Sequence, residues 1–335
     1  MTLVSHISEF ELIKKLEMAF LNSRNNVIRD KDILLGIGDD AAIIDPGKSP
    51  QVITTDTMVE NIHFINDKQS MKDLGWKALA VNYSDIASMG CKPSHTLVTL
   101  GLRPNIEIED LEEIYRGFAH LINEEGGDLV GGDIVKSETF FISVTVVGRS
   151  GSKNILRRDT ANIGDLIGVT GQLGSSAGGL KILKGIYNGP EEFTAHLISR
   201  HRRPSPRIKS GIKLADNGVT TAMDISDGLY ADLSKLCKAS KVGASFQVDK
   251  LPVNEHLKSA FPTEWIELAV SGGEDYELLF TTSEKTVNNL KTEEEISFQI
   301  IGEITEESNG VTAFDKSGNQ LTFETGGWDH FKKPS

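Results

Sequence analysis

The sequence predicts an α+β protein of two domains, residues 1–150 and 151–335. Three observations lead there. A chain of 335 residues is longer than one hydrophobic core ordinarily serves, so two domains of roughly 150 residues each are expected. Both halves carry short β-branched runs as well as apolar stripes at helical spacing. Between them, residues 148–165 are polar and glycine-containing, the composition of a linker.

In chain order, Ser8-Glu9-Phe10-Glu11 reads as a capping box opening a helix with Phe10, Ile13, Leu16 and Phe20 on one face. The runs 41–44 and 52–55 flank the turn Asp45-Pro46-Gly47 and are expected to pair as strands, with Asp40 and Asp56 at their outer ends. Residues 70–89 read as a long helix stopped by Gly90, its stripe made by Leu74, Leu79, Val81, Ile86 and Met89. Asp85 falls on that stripe, where a carboxylate is costly without a partner. Strands are expected at 95–100, 127–130 and 140–147, and a helix at 108–125. In the second half, strands are expected at 165–170, 220–224 and 275–280, helices at 174–184 and 229–237, and a loop at 201–206. Val130-Gly131-Gly132-Asp133 and Ser271-Gly272-Gly273-Glu274 share a Gly-Gly-acid turn, the kind of trace a duplication leaves.

Composition narrows the chemistry. The chain is 39% hydrophobic and 25% charged, ordinary for a globular protein. A net charge of -13 argues against nucleic acid or an anionic membrane as partner. It would also repel a polyphosphate unless bound cations invert the local field. Cys91 and Cys237 form no CxxC pair, the first residues carry no basic-then-apolar leader, and no apolar run nears the roughly 20 residues of a membrane helix. A reducing cytoplasm is the expected compartment.

Against that background the placement of aspartates is informative. They stand beside glycine, serine or threonine in Gly38-Asp39-Asp40, Thr54-Thr55-Asp56-Thr57, Asn82-Tyr83-Ser84-Asp85, Gly131-Gly132-Asp133 and Asp224-Ile225-Ser226-Asp227-Gly228. Each motif alone is a common surface turn. Together they supply the hard oxygen ligands magnesium prefers, and their small neighbours let a phosphorylated ligand come close. Strand alternation puts Asp224 and Ser226 on one face, while Asp227 is expected to cap the next helix. Gly174-Ser175-Ser176-Ala177-Gly178-Gly179 lacks the lysine of a Walker sequence, so tight helix packing is the stronger reading than a phosphate cradle. Arg158 in Arg157-Arg158-Asp159, and the Arg202-Arg203 pair, are cations able to meet phosphate. His63-Phe64 and Trp328 are aromatic walls for a flat cationic ring, with core packing as the plainer alternative. No nucleophile elbow or Ser-His-Asp order is visible.

These motifs carry a resemblance. From about Phe10 to Phe331 the chain resembles the thiamine-monophosphate kinase family of the aminoimidazole-ribonucleotide-synthetase-like superfamily. The resemblance rests on Gly36-Ile37-Gly38-Asp39-Asp40-Ala41-Ala42, Thr54-Thr55-Asp56-Thr57, Asn61-Ile62-His63-Phe64, the Lys77 to Asn82 run with Ser84-Asp85, Gly131-Gly132-Asp133, Arg202-Arg203-Pro204-Ser205-Pro206-Arg207, Asp224 to Leu229 and Ser271 to Leu278. It implies a two-domain fold whose N-terminal sheet domain pairs in a homodimer, with a C-terminal α/β domain completing an active-site cleft. It also implies ATP-dependent phosphorylation of thiamine monophosphate to thiamine diphosphate, by in-line transfer with Mg2+. At matching positions Asp40, Thr54, Thr55, Asp56, Asp85, Asp133, Asp224 and Asp227 resemble the metal shell, with Asp56, Asp224 and Asp227 nearest the chemistry. Gly132, Asp133, Arg158 and Ser226 resemble ATP contacts, and His63, Glu274 and Trp328 the thiamine side. Thr54 stands where serine is common and keeps the hydroxyl; Asn61 stands where glycine is expected, which bears on how that loop closes.

Three alternatives would make different demands on the sequence. A selenide enzyme would need a reactive cysteine near its N-terminus, and the first here is Cys91. A purine-pathway synthetase would lack the Ser271 to Tyr276 and Gly327 to Phe331 segments, and a non-catalytic carrier would not need so many carboxylates. If Trp328 stacks on the thiamine rings, Trp328→Ala should raise the Michaelis constant for thiamine monophosphate about tenfold, or roughly 1 to 2 kcal/mol, and leave that for ATP nearly unchanged. Measuring both constants beside a thermal melt separates this from packing, which would move both constants and the melt together.

Overall fold

The computed structural model describes residues 3, 9–24, 33–35, 43–44, 47, 50–151, 154–187, 189–293 and 296–323. The chain forms two compact units, Met1–Ile86 with Cys91–Gly151, and Ala87–Gly90 with Ser152–Ser335. Gly36 to Asp40 and Trp328 lie outside the described residues.

The first unit runs α1 (Glu9–Asn22), β1 (Ile33–Leu35), β2 (Ile43–Ile44), β3 (Gln51–Val59), α2 (Met71–Ser88), β4 (Cys91–Leu102), α3 (Ile108–Glu125), β5 (Asp128–Lys136) and β6 (Phe141–Ser150). Among the described residues, the expected pairing of 41–44 with 52–55 is not present. Instead β2 pairs with β1, while 52–55 belongs to the nine-residue β3, which pairs antiparallel with β6 along its length. The main sheet has the order β3-β6-β4-β5.

Alternation gives that sheet two unlike faces. Val98, Leu100, Ile142, Val144 and Val146 are buried on one face. On the other, Ile53 on β3, Leu97 on β4 and Val135 on β5 are 69%, 42% and 39% exposed. Asp56 is therefore not at a strand end, as expected, but inside an edge strand. Gly131-Gly132-Asp133 is no turn either: it continues β5, parallel to β4, with Gly132 opposite Val98 and Asp133 opposite Thr99. Glycine is required there for close approach, since a Cβ on Gly132 would sit 2.0 Å from the Val98 carbonyl oxygen.

The second unit contains β7 (Leu166–Thr170), α4 (Ser175–Leu183), α5 (Thr194–Arg202), α6 (Ile208–Asp216), β8 (Thr221–Asp224), α7 (Leu229–Ser240), β9 (Gly243–Gln247), α8 (Glu255–Ala260), α9 (Trp265–Ser271), β10 (Leu278–Thr282), α10 (Glu284–Leu290), β11 (Phe298–Thr305), β12 (Val311–Phe314) and β13 (Gln320–Leu321). Its seven strands follow the order β13-β12-β9-β11-β7-β10-β8, antiparallel except for β9 with β12. The core joins Ile167 and Val169 of β7 to Leu229, Leu233 and Leu236 of α7 and to Leu268 and Val270 of α9.

Three expectations shift here. His201 and Arg202 close α5, so the loop starts at Arg203. The strand expected at 275–280 starts at Leu278, because Glu274 (φ 66) and Tyr276 (φ 52) adopt left-handed backbone that no ladder accommodates. The two Gly-Gly-acid segments also differ, one inside β5 and the other following α9, so their likeness is local rather than a trace of duplication.

Candidate active site

In the first unit, α2 presents Asn82 and Asp85 to the edge strand β3. The Thr54 hydroxyl donates to Asp85 Oδ2 at 2.5 Å, so Asp85 has the partner its place on an apolar stripe demands. Asn82, fully buried, accepts the Asp56 backbone N–H at 3.0 Å and donates to the Ala78 carbonyl at 3.0 Å. Strand and helix are thereby pinned at Asp56. Burial against α2 pushes the Asp56 carboxyl up to about 6, and the neighbouring Asp85 charge adds to the effect. Two carboxylates crowded in this way, each destabilising the other's charge, make a donor set that fits a cation.

Thr55 and Asp133, also expected in the metal shell, lie elsewhere. Thr55 points to the opposite face, donating to the Val144 carbonyl at 3.1 Å and accepting from the Thr145 hydroxyl at 3.0 Å. Asp133 shares that open face, on one rung with Thr57, Ser143 and Thr99. At about 4.8 Å per strand it stands roughly 14 Å across the sheet from Thr57. Thr54, Asp56 and Asp85 are brought together; Thr55 and Asp133 are not among them.

The loop after β3 carries His63. Asn61 has φ 63, the conformation for which glycine is favoured, and its N–H bonds the Phe64 carbonyl at 2.8 Å. Asparagine enters this region at small cost, so the loop keeps its turn despite the substitution. His63 Nδ1 accepts the Val59 N–H at 3.0 Å, which fixes the ring's orientation. Phe64 is core instead of wall, packed edge-on against Phe140 at 5.6 Å. Buried Glu60, bonded by Arg103 and Asn66, anchors the same loop.

In the second unit, Asp224 ends the sheet-edge strand β8 and is buried. The Ser226 and Asp227 N–H groups both donate to Asp232 Oδ2 at 2.9 Å. Asp232 is fully buried on α7; burial raises its pKa, and the Lys235 ammonium at 2.7 Å works against that shift. Lys235 also bonds Asp227. Burial disfavours that ammonium, but its two carboxylate partners outweigh burial and hold its pKa above the ordinary lysine value. Asp227 is thus not the helix cap expected. Gly228 takes that position, with φ 107 and no side-chain bond.

The segment 271–277 is laced to this loop. Ser226 and Ile225 carbonyls accept from Glu274 and Tyr276 N–H at 2.8 and 2.9 Å, and Ile225 donates to the Glu277 carbonyl at 2.8 Å. Glu274 Oε2 lies 3.4 Å from His201 Nδ1. Asp275 receives the Gly174 and Ser176 N–H groups at 2.6 and 3.1 Å, so the amides at the start of α4 are not a phosphate cradle. Burial pushes Asp275 up to about 7, against the pull of those amides. Gly179 serves packing, as expected: a Cβ there would stand 2.2 Å from the Leu197 carbonyl. Glu277, wholly buried, takes two bonds from Arg207 at 2.5 Å and one from Arg200 at 3.1 Å. Arg158 is exposed, and the Arg157 backbone pairing with Thr220 and Ala222 sets it beside β8. Among the described residues, no three His, Cys, Asp or Glu side chains form a group able to hold a metal ion.

Asp232, Lys235, Asp275, Glu277 and Arg207 carry this architecture without having been assigned roles from sequence. Asp232 was detectable: an acid among Leu229, Leu233 and Leu236 gives the same signal as Asp85.

Comparison with known proteins places the chain. Residues 38–150 match the N-terminal and residues 162–314 the C-terminal domain of AIR synthase related protein. The thiamine-monophosphate kinase of Buchnera aphidicola subsp. Schizaphis graminum is 37% identical over 331 residues, covering 97% of this chain and 99% of the relative. The chain belongs to the thiamine-monophosphate kinase family. The crystal structure of the Stenotrophomonas maltophilia family member superposes with a TM-score of 0.80 at 34% identity, over 92% of this chain and 96% of that one. A solved complex of AaThiL with AMPPCP and TMP does so with a TM-score of 0.76 at 32% identity, over 99% of both chains.

The Asp56 pair sets a pH dependence. A carboxyl whose folded-state pKa exceeds its unfolded value costs stability as pH rises between the two, here from 3.8 to about 6. In chelator, Asp56→Asn should therefore be more stable than the parent above pH 6, by less than about 1 kcal/mol because solvent screens the open side of the carboxylate. The difference should shrink to nothing near pH 4. Thermal melts across this range test it, and a gap that widens on acidification would contradict it.

Proposed function

We propose that this chain transfers the γ-phosphoryl group of ATP to the phosphate of thiamine monophosphate, yielding thiamine diphosphate and ADP. The observation that carries the reading is likeness over 99% of its length to the AaThiL complex with AMPPCP and TMP, at 32% identity. The acid pairs agree with it.

The acceptor is a phosphate monoester, already largely ionised near neutral pH, so no side-chain base is needed. Bound Mg2+ would neutralise the phosphate oxygens and align donor with acceptor. Asp56 and Asp85 of the first unit are assigned to Mg2+, with Thr54 orienting Asp85, and so are Asp224 and Asp227 of the second unit. Arg158, Ser226, Gly132 and Asp133 are assigned to ATP. His63, fixed by Val59, and Glu274, beside His201, are assigned to the cationic thiamine rings together with Trp328, and Asp40 is assigned to the metal; Trp328 and Asp40 lie outside the described residues. We place the reaction in the cytoplasm, in keeping with two free, buried cysteines. No helix among the described residues is long and apolar enough to cross a membrane.

Incubation with ATP, Mg2+ and thiamine monophosphate should give thiamine diphosphate, resolved by chromatography. Asp56→Asn and Asp224→Asn should reduce turnover at least about a thousandfold with an intact melt, unrescued by excess substrate. Manganese should replace magnesium and calcium should do so poorly, its longer oxygen distances misaligning the transfer. Steady turnover in excess chelator would overturn the metal assignment.

We further propose a homodimer formed through the open face of the first unit's sheet, supported by the exposure of Ile53, Leu97 and Val135. Replacing Ile53 and Leu97 together by Glu should halve the mass found by light scattering. A parent protein that is monomeric at micromolar concentration would rule this out.

A further inference from the structure

We infer that Lys235 is a resident cation of the 224–228 loop, one that holds Asp227 in the metal-free protein and competes with divalent metal for that carboxylate. The inference rests on the assignment of Asp227 as a metal ligand. Lys235 is placed by α7, one turn beyond Asp232, and its ammonium bridges two carboxylates of unequal standing. Asp232 has no exposed side-chain surface and already holds the Ser226 and Asp227 amides, so it cannot leave. Asp227, with 28% of its side chain exposed, can. Arrival of a dication at Asp227 would therefore turn that carboxylate away from the ammonium, which stays with Asp232.

Two opposing effects decide the sign of the test. A lysine that merely orients Asp227 would strengthen metal binding, so its loss would weaken affinity. A lysine that competes puts positive charge where the metal must sit, so its loss would strengthen affinity. The loop shape itself does not depend on the ammonium, because Asp232 bonds the backbone directly. The competing effect is therefore expected to win. A long flexible stem also lets the ammonium retreat without moving α7.

The experiment titrates the full chain with Mn2+ without nucleotide and follows free Mn2+ by electron paramagnetic resonance. Lys235→Met should bind Mn2+ about threefold to tenfold more tightly than the parent, and Lys235→Arg, which keeps the charge, should bind like the parent. Lys235→Gln serves the same comparison if the methionine variant does not fold. Equal or weaker binding by a folded, uncharged variant overturns the inference. Asp227→Asn separates the two levels: it should lose one class of Mn2+ site. If it keeps every site, the assignment of Asp227 fails and the inference fails with it. If it loses the site while Lys235→Met binds as the parent does, only the inference fails.

Discussion

A carboxylate with no water around it, Glu277, is the constraint on which the second unit's site depends. Burying that charge is tolerable only because Arg207 and Arg200 meet it, with the Thr170 hydroxyl at 2.8 Å. Removing one partner of such a group costs about 3–5 kcal/mol, since the remaining charge is left stranded. The network ties β7, α5 and the start of α6 to the residue preceding β10. Because the Glu277 carbonyl also accepts from Ile225, the ion cluster fixes the height at which Asp224, Ser226 and Asp227 leave β8. The geometry of the proposed metal ligands is thus set by groups to which we assign no substrate contact.

At Asp56 the first unit solves the same problem without an ion pair. Asn82 serves there, a neutral amide bonding both its own helix and the Asp56 backbone. A neutral anchor suits a site whose two acids already repel each other: a cation in that place would stabilise the acids and weaken the metal binding we propose for them. Rigidity and charge are supplied separately, the first by Asn82 and the second left open at Asp56 and Asp85.

Much of this was legible in sequence where periodicity was unbroken. The helices at 70–89 and 108–125 appear within two residues of their expected bounds because their apolar spacing has no competing signal. The cost of Asp85 on an apolar stripe correctly implied a partner. Strands β3 and β5 were misread at Asp56 and Gly131-Gly132-Asp133 because glycine, threonine and aspartate are the residues of turns. Here they serve an edge strand and a close parallel pairing, which only the tertiary partner reveals. The Glu277 bond to Arg207 spans 70 residues and leaves no local pattern at all. Asp227 looked like a cap since it precedes a helix, yet the Asp232 carboxylate had already claimed the loop's amides.

The sheet of the first unit is also a partition. Asp56 and Asp133 point from opposite faces and are separated by the intervening strands β6 and β4. In an isolated chain, energetic effects of changing them should simply add, as they do for residues more than about 7–10 Å apart with no common partner. A double-mutant cycle that departs from additivity would therefore report something outside one chain bridging the two faces. The geometry turns an arithmetic discrepancy into a sensor of what assembles around the sheet.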